Sequence, residues 1–132
     1  MGPVSATQET DEHRSTVLLV EDELLLRWPA GEYLRAEGYR VIEAATASEA
    51  IAVLASGTRV DLVFSDVNLA EGMDGHELAS WLADNRPQTP MLLTSANRQE
   101  LHRVTAGTLR ATLSKPYDLS AVAQRIREML SG

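Results

Sequence analysis

Five short apolar runs, each followed by a segment of helical period, constrain this chain more than any other feature. They are "VLLVE" (17–21), "RVIEA" (40–44), "VDLVFS" (60–65), "MLLTS" (91–95) and "LRATLS" (109–114). None shows the clean in/out alternation of a half-exposed strand, so each reads as a strand covered on both faces, as in a parallel sheet. The helical segments fall at 22–38, 46–57, 75–85, 97–107 and 118–130. Asp22 is placed to cap the first, Gly38 to stop it, and Pro29 to kink it or start a second segment. Thr46 with Glu49, and Asn97 with Glu100, have capping-box spacing. Leu119, Val122, Ile126, Met129 and Leu130 form one stripe on the last helix.

Strand–helix alternation with right-handed crossovers predicts an α/β fold, a doubly wound parallel sheet. For 132 residues the expected form is the flavodoxin-like (βα)5 sheet, strand order 2-1-3-4-5. Residues 1–14 are polar and aperiodic and are expected to be a disordered tail, with one domain over 15–132.

The formal net charge of −7 argues against direct DNA binding, which needs clustered cations to displace phosphate counterions. With no cysteine, disulfide and zinc-thiolate chemistry are excluded. No apolar run approaches the roughly 20 residues of a membrane span, and no signal peptide precedes the first strand. A cytoplasmic location is the natural expectation.

In a doubly wound sheet, ligands bind outside the carboxyl ends of the strands. Those ends carry Glu21-Asp22, Asp66, Thr94-Ser95 and Ser114-Lys115-Pro116. Carboxylates gathered there would repel one another and raise their pKa values in the absence of a cation. Oxygen donors without histidine or cysteine favour a hard ion, and Mg²⁺ suits an open site completed by water and phosphate. Carboxylate, hydroxyl and ammonium around such an ion match phosphoryl transfer, and a carboxylate can itself be the nucleophile. For Asp66 in "VFSDVNLAEGMDG", the cap, metal-ligand and nucleophile readings all stand at this point. Glu71 and Asp74 read as solvated loop acids.

The pieces "LLVEDE", "DLVFSDVNLAEGMDG", "PMLLTSA" and "LSKPYD", in this order and each at a strand end, resemble the receiver domain of two-component response regulators. The likeness covers about Val17 to Leu130. It implies that Asp66 is the phosphoacceptor and that Lys115 pairs with the phosphoryl group or with bare Asp66. Ser95 would bond a phosphoryl oxygen, with Thr94 the alternative. It further implies Mg²⁺ held by Glu21, Asp22, Asp66 and the backbone carbonyl of Asn68, and a cis Lys115-Pro116 bond.

The implied protein is a signalling switch that catalyses only its own phosphorylation and dephosphorylation. A histidine kinase or histidine phosphotransfer protein would be its donor, and a downstream protein its output. Homodimerisation is a further implied possibility, through the face of the fourth helix (97–107), fifth strand and last helix, where Arg98, Arg103, Arg110, Arg125 and Arg127 gather. The chain ends at Gly132, which fits a stand-alone receiver or one excised from a longer protein.

Three departures from the family pattern stand out. Ala70 replaces a proline, with one extra residue before "MDG"; Thr112 replaces an aromatic; and Pro29 interrupts the first helix. Without the aromatic, the usual ring switch has no ring, and Tyr117 is the candidate replacement. These departures keep a second reading in view, a constitutive docking module that does not switch. A Mg²⁺-dependent aspartyl phosphatase is a third, disfavoured by Asn68 where a second acid is expected.

Overall fold

A computed structural model of the chain describes residues 14–69, 75–96 and 110–131. The tail over 1–13, the loop acids Glu71 and Asp74, Ala70, and the helix expected at 97–107 lie outside the described residues. So do Arg98, Arg103 and the side chain of Arg110.

The described elements are β1 (Thr16–Val20), α1 (Leu24–Ala36), β2 (Arg40–Ala44), α2 (Ala47–Ala55), β3 (Leu62–Asp66), α3 (Gly75–Asn85), β4 (Met91–Ser95), β5 (Arg110–Ser114) and α4 (Leu119–Ser131). All strand pairings are parallel, in the order β2-β1-β3-β4-β5. This is the expected flavodoxin-like arrangement.

Alternation along the strands sorts the core into two layers. Leu18, Val20, Val63, Met91 and Leu93 face α2 and α3. Val17, Leu19, Leu62, Phe64 and Leu92 face α1 and α4. Leu18, Leu62 and Leu92 are fully buried, and truncating any one to alanine would cost about 3 kcal/mol.

The helix ends follow local chemistry. The Thr46 hydroxyl accepts the Glu49 amide at 3.1 Å, while the Glu49 carboxylate reaches back to the Ala45 amide at 2.7 Å. The reciprocal contact thus falls one residue earlier than in the simple capping box. Asp118 accepts the Ala121 amide at 2.8 Å and the Ser120 hydroxyl at 2.6 Å, which starts α4. Gly38 (φ 103°) and Gly57 (φ 85°) leave α1 and α2 in the left-handed region, where a side chain would be strained.

The structure corrects two local expectations. The N-cap of α1 is Glu23, not Asp22, and it makes no side-chain cap bond. One helix runs through Pro29 rather than two segments. The carbonyl that Pro29 leaves without a partner belongs to Leu25, which is 84% exposed, so water can satisfy it. Asp66 ends β3, as expected from its place after the apolar run. His76, on α3, is half-buried. Trp81 packs on the α2/α3 layer, whereas Trp28 is exposed.

Candidate functional site

The strand alternation that sorts the core also builds the site. Two residues beyond Leu19, Phe64, Leu92 and Leu113 come Glu21, Asp66, Thr94 and Lys115. All four continue the α1/α4 face at the sheet's carboxyl edge, Asp66 and Thr94 as the ends of their strands and Glu21 and Lys115 just beyond theirs. Asp66 pairs in register with Thr94, and Ser95 with Ser114.

Asp66 is buried, yet each of its oxygens has a partner. One accepts the Asn68 amide at 2.9 Å, and the other forms an ion pair with the Lys115 ammonium. The Asn68 amide contact folds the chain sharply after β3. The Val67 amide continues the sheet to the Thr94 carbonyl at 2.9 Å, and the Gly75 amide returns to the Val67 carbonyl at 2.8 Å. A Cβ on Gly75 would lie 2.7 Å from the Asp66 carbonyl oxygen and from the Val67 Cα, so only glycine lets α3 start this close to the strand.

Lys115 is placed by its backbone as well. Its amide donates to the Ser95 carbonyl at 3.0 Å, and the Lys115-Pro116 bond is cis. Burial alone would lower the Lys115 pKa. The hydrogen bond and charge of Asp66, with the Glu21 charge behind them, outweigh burial and raise it, so the lysine stays charged.

Glu21 carries the clearest electrostatic signature. Burial pushes its carboxyl up to about 7; the Asp66 charge and a hydrogen bond with Asp22 add to this, against the opposing pull of the Glu23 amide. That is the rise expected of crowded carboxylates lacking a cation. Asp22 stands exposed in the turn between β1 and α1.

The donors here are carboxylate and carbonyl oxygens, a set suited to a hard divalent ion. Among the described residues no three His, Cys, Asp or Glu side chains converge on one point. An ion at this edge would therefore depend on carbonyl and water oxygens besides the acids.

Two contacts escaped the sequence reading. The Tyr117 hydroxyl bonds the Thr94 side chain, its ring meets Phe64 edge-on at 6.4 Å, and burial raises its pKa. Tyr117, Thr94, Asp66 and Glu21 share the wall of a cavity of about 10 Å³. The Arg27 guanidinium donates to the Glu21 carbonyl at 2.9 Å. Neither contact has a sequence signature: Tyr117 and Thr94 come from different strand ends, and the Arg27 contact is to a backbone carbonyl, which no residue pattern marks. Ser95 is fully buried at the end of β4, and strand alternation puts it on the opposite face from Thr94.

The chain is similar to known proteins in sequence and in fold. The profile of the response regulator receiver domain matches residues 17–127. The chain is 34% identical over 137 residues to the sensor kinase CckA of Brucella abortus, covering 97% of this chain and 14% of that protein. It is 35% identical over 117 residues to the transcriptional regulatory protein PdtaR of Mycobacterium tuberculosis, covering 87% of this chain and 56% of that one. The chain thus spans only part of the length of these curated relatives.

Among solved structures, the receiver domain of the hybrid histidine kinase CckA is similar, with 32% identity, a TM-score of 0.75, and coverage of 88% of this chain and 99% of that one. A response regulator receiver protein of Sinorhizobium medicae shares the fold, with a TM-score of 0.84 at 22% identity over 92% of this chain and 98% of that one. No helix among the described residues is long and apolar enough to cross a membrane.

Proposed function

The chain belongs to the response regulator receiver domain family, a family of signalling modules, and on that premise we propose that it is a phosphorylatable switch with Asp66 as its phosphoacceptor. The observation that carries this reading is the Asp66–Lys115 ion pair at the carboxyl edge of the sheet, beside Glu21. The receiver unit is taken as residues 15–132, with 1–14 as a preceding tail.

In the proposed reaction an Asp66 carboxylate oxygen attacks phosphorus. The new O–P bond forms as the bond from phosphorus to the donor breaks, and the donor atom keeps the electron pair. That atom is a ring nitrogen in a histidine kinase or phosphotransfer protein, or an acyl oxygen in a small donor. Lys115 then exchanges its pairing with the bare carboxylate for pairing with a phosphoryl oxygen. Ser95 supplies a hydroxyl to a second oxygen. Asp22, Asp66, Glu21 and the Asn68 carbonyl would hold Mg²⁺. When bound, that ion neutralises charge on the transferring group.

Phosphate at Asp66 has contacts that the bare carboxylate lacks, and only such a difference can bias a two-state element. The output is binding of a downstream protein, and the face containing β5 and α4 remains the proposed homodimer surface. The alternative reading, a constitutive docking module, draws on Thr112 at the position of the usual aromatic. Amide chemical shifts with a phosphate mimic separate the two. Switching predicts changes at 94–96 and 110–117 as well as around Asp66. Changes confined to 66–69 would favour the docking module.

A further inference from the structure

Glu21 and Asp22 occupy a turn that the helix after it does not hold in the usual way. The N-cap residue of α1, Glu23, makes no side-chain cap bond, and the first turn contains no acid to bond the free amides. Glu21 is nevertheless fixed at both backbone ends. Its amide donates to the Ala44 carbonyl at 3.0 Å, and its carbonyl accepts Nη1 of Arg27 at 2.9 Å.

Arg27 is anchored in turn. Its Nε donates to Oε1 of Glu43 on β2 at 3.2 Å, and both side chains are largely shielded. The second Glu43 oxygen takes Arg35 at 3.1 Å. Arg27, Gly31 and Arg35 lie at i, i+4 and i+8 on one face of α1, so the two guanidiniums flank the position of Gly31. A Cβ there would lie 2.9 Å from the Glu43 carboxylate. The glycine leaves room for the acid, and the acid aims Arg27 at the turn.

We propose that Arg27, held by Glu43, is a positioning residue that fixes the Glu21–Glu23 turn for metal binding at the carboxyl edge of the sheet. This rests on the Mg²⁺ reading above. Because Arg27 and Glu43 neutralise each other, the effect is geometric: the guanidinium holds a backbone carbonyl and takes neither acidic side chain of the turn, and the Glu21 carboxylate keeps its contact with the Glu23 amide at 3.2 Å. Arg35 shares the same carboxylate but has no contact with Glu21. Its other contacts are Glu32 on its own helix at 3.2 Å and the Val41 carbonyl at 3.1 Å, farther down β2. It serves as an internal control.

Mg²⁺ binding to the full chain is measured by calorimetry for wild type, Arg27→Met and Arg35→Met, with melting temperature recorded for each. Each substitution removes one of the two partners of Glu43 and lowers the melting temperature. Arg27→Met is expected to raise the Mg²⁺ Kd about tenfold, the scale seen when a residue behind a metal ligand is lost, and Arg35→Met to leave it within about twofold. If Arg27→Met does not fold, Glu43→Gln takes its place, with an expected rise of about threefold from the weakened anchor.

Equal Kd values for the Arg27 and Arg35 variants would overturn the positioning role and leave the metal site standing. Absence of saturable Mg²⁺ binding by the wild type would instead overturn the metal reading, and this inference with it.

Discussion

Lys115 forms an ion pair with Asp66 although 49 residues separate them, because β4 lies between their strands and parallel pairing sets both at one edge of the sheet. The pairing compensates a buried carboxylate and leaves the ammonium within reach of any anion that Asp66 acquires.

Removing the cation should therefore expose the cost of burying Asp66. Lys115→Met is expected to lower stability by about 1–2 kcal/mol at neutral pH, below the full cost of breaking a buried pair because the lysine is partly exposed. Urea unfolding at an unchanged m-value checks this. Pairing Lys115→Met with Asp66→Asn should recover most of the loss, and failure to recover it would mean that the lysine stabilises the fold by some other contact.

Glu21 sets a pH dependence of unusual sign. Its carboxyl is raised in the folded chain from 4.5 to about 7, so between those values the folded state binds more protons than the unfolded state. The contribution is complete below 4.5 and is lost as pH rises through about 7. The ion-free protein should lose about 2 kcal/mol across that window, at about 1.4 kcal/mol per unit with allowance for the solvent beside Asp22. Denaturation as a function of pH should show this slope in the wild type and not in Glu21→Gln. Mg²⁺ should restore stability at the alkaline end. Parallel profiles for the two proteins would contradict the assignment.

Gly75 is a steric requirement of the site. Gly75→Ala puts a methyl against the Asp66 carbonyl and the Val67 Cα, backbone atoms that cannot swing away. A loss of about 2–3 kcal/mol is expected, together with slower phosphorylation as β3 and α3 separate. A stability unchanged by the methyl would show that this junction yields more readily than its geometry implies.

Tyr117 and Thr94 should behave as a pair. Tyr117→Phe keeps the ring on Phe64 and removes the hydroxyl that bonds Thr94, at an expected cost of about 1 kcal/mol. A double-mutant cycle with Thr94→Val should show coupling of similar size. Additive losses would mean that the two hydroxyls act independently.

The sequence made the sheet order legible because Val17–Val20, Leu62–Phe64 and Met91–Leu93 are continuous apolar runs that only a doubly covered parallel sheet buries. Asp66 and Lys115 could be placed because each lies two residues past the last apolar residue of its strand, Phe64 and Leu113. The cap of α1 is not legible for a physical reason: Asp22 has the chemistry of a cap, but it lies in the turn with Glu21, and the helix starts two residues on, at Leu24. Arg27 carries no signal in the sequence because its partners, Glu43 and the Glu21 carbonyl, come together only when α1 packs across β1 and β2. Thr94 and Tyr117 were weighed separately, and their contact depends on where β5 delivers the turn after Lys115.

The central claim is that Asp66 is the atom source of a new O–P bond. Intact-mass measurement after incubation with Mg²⁺ and a small acyl phosphate tests it most directly. The account predicts one phosphoryl adduct on the wild type, lost on chelating the metal and absent from Asp66→Asn. No adduct on the wild type, or one that persists in Asp66→Asn, would contradict it.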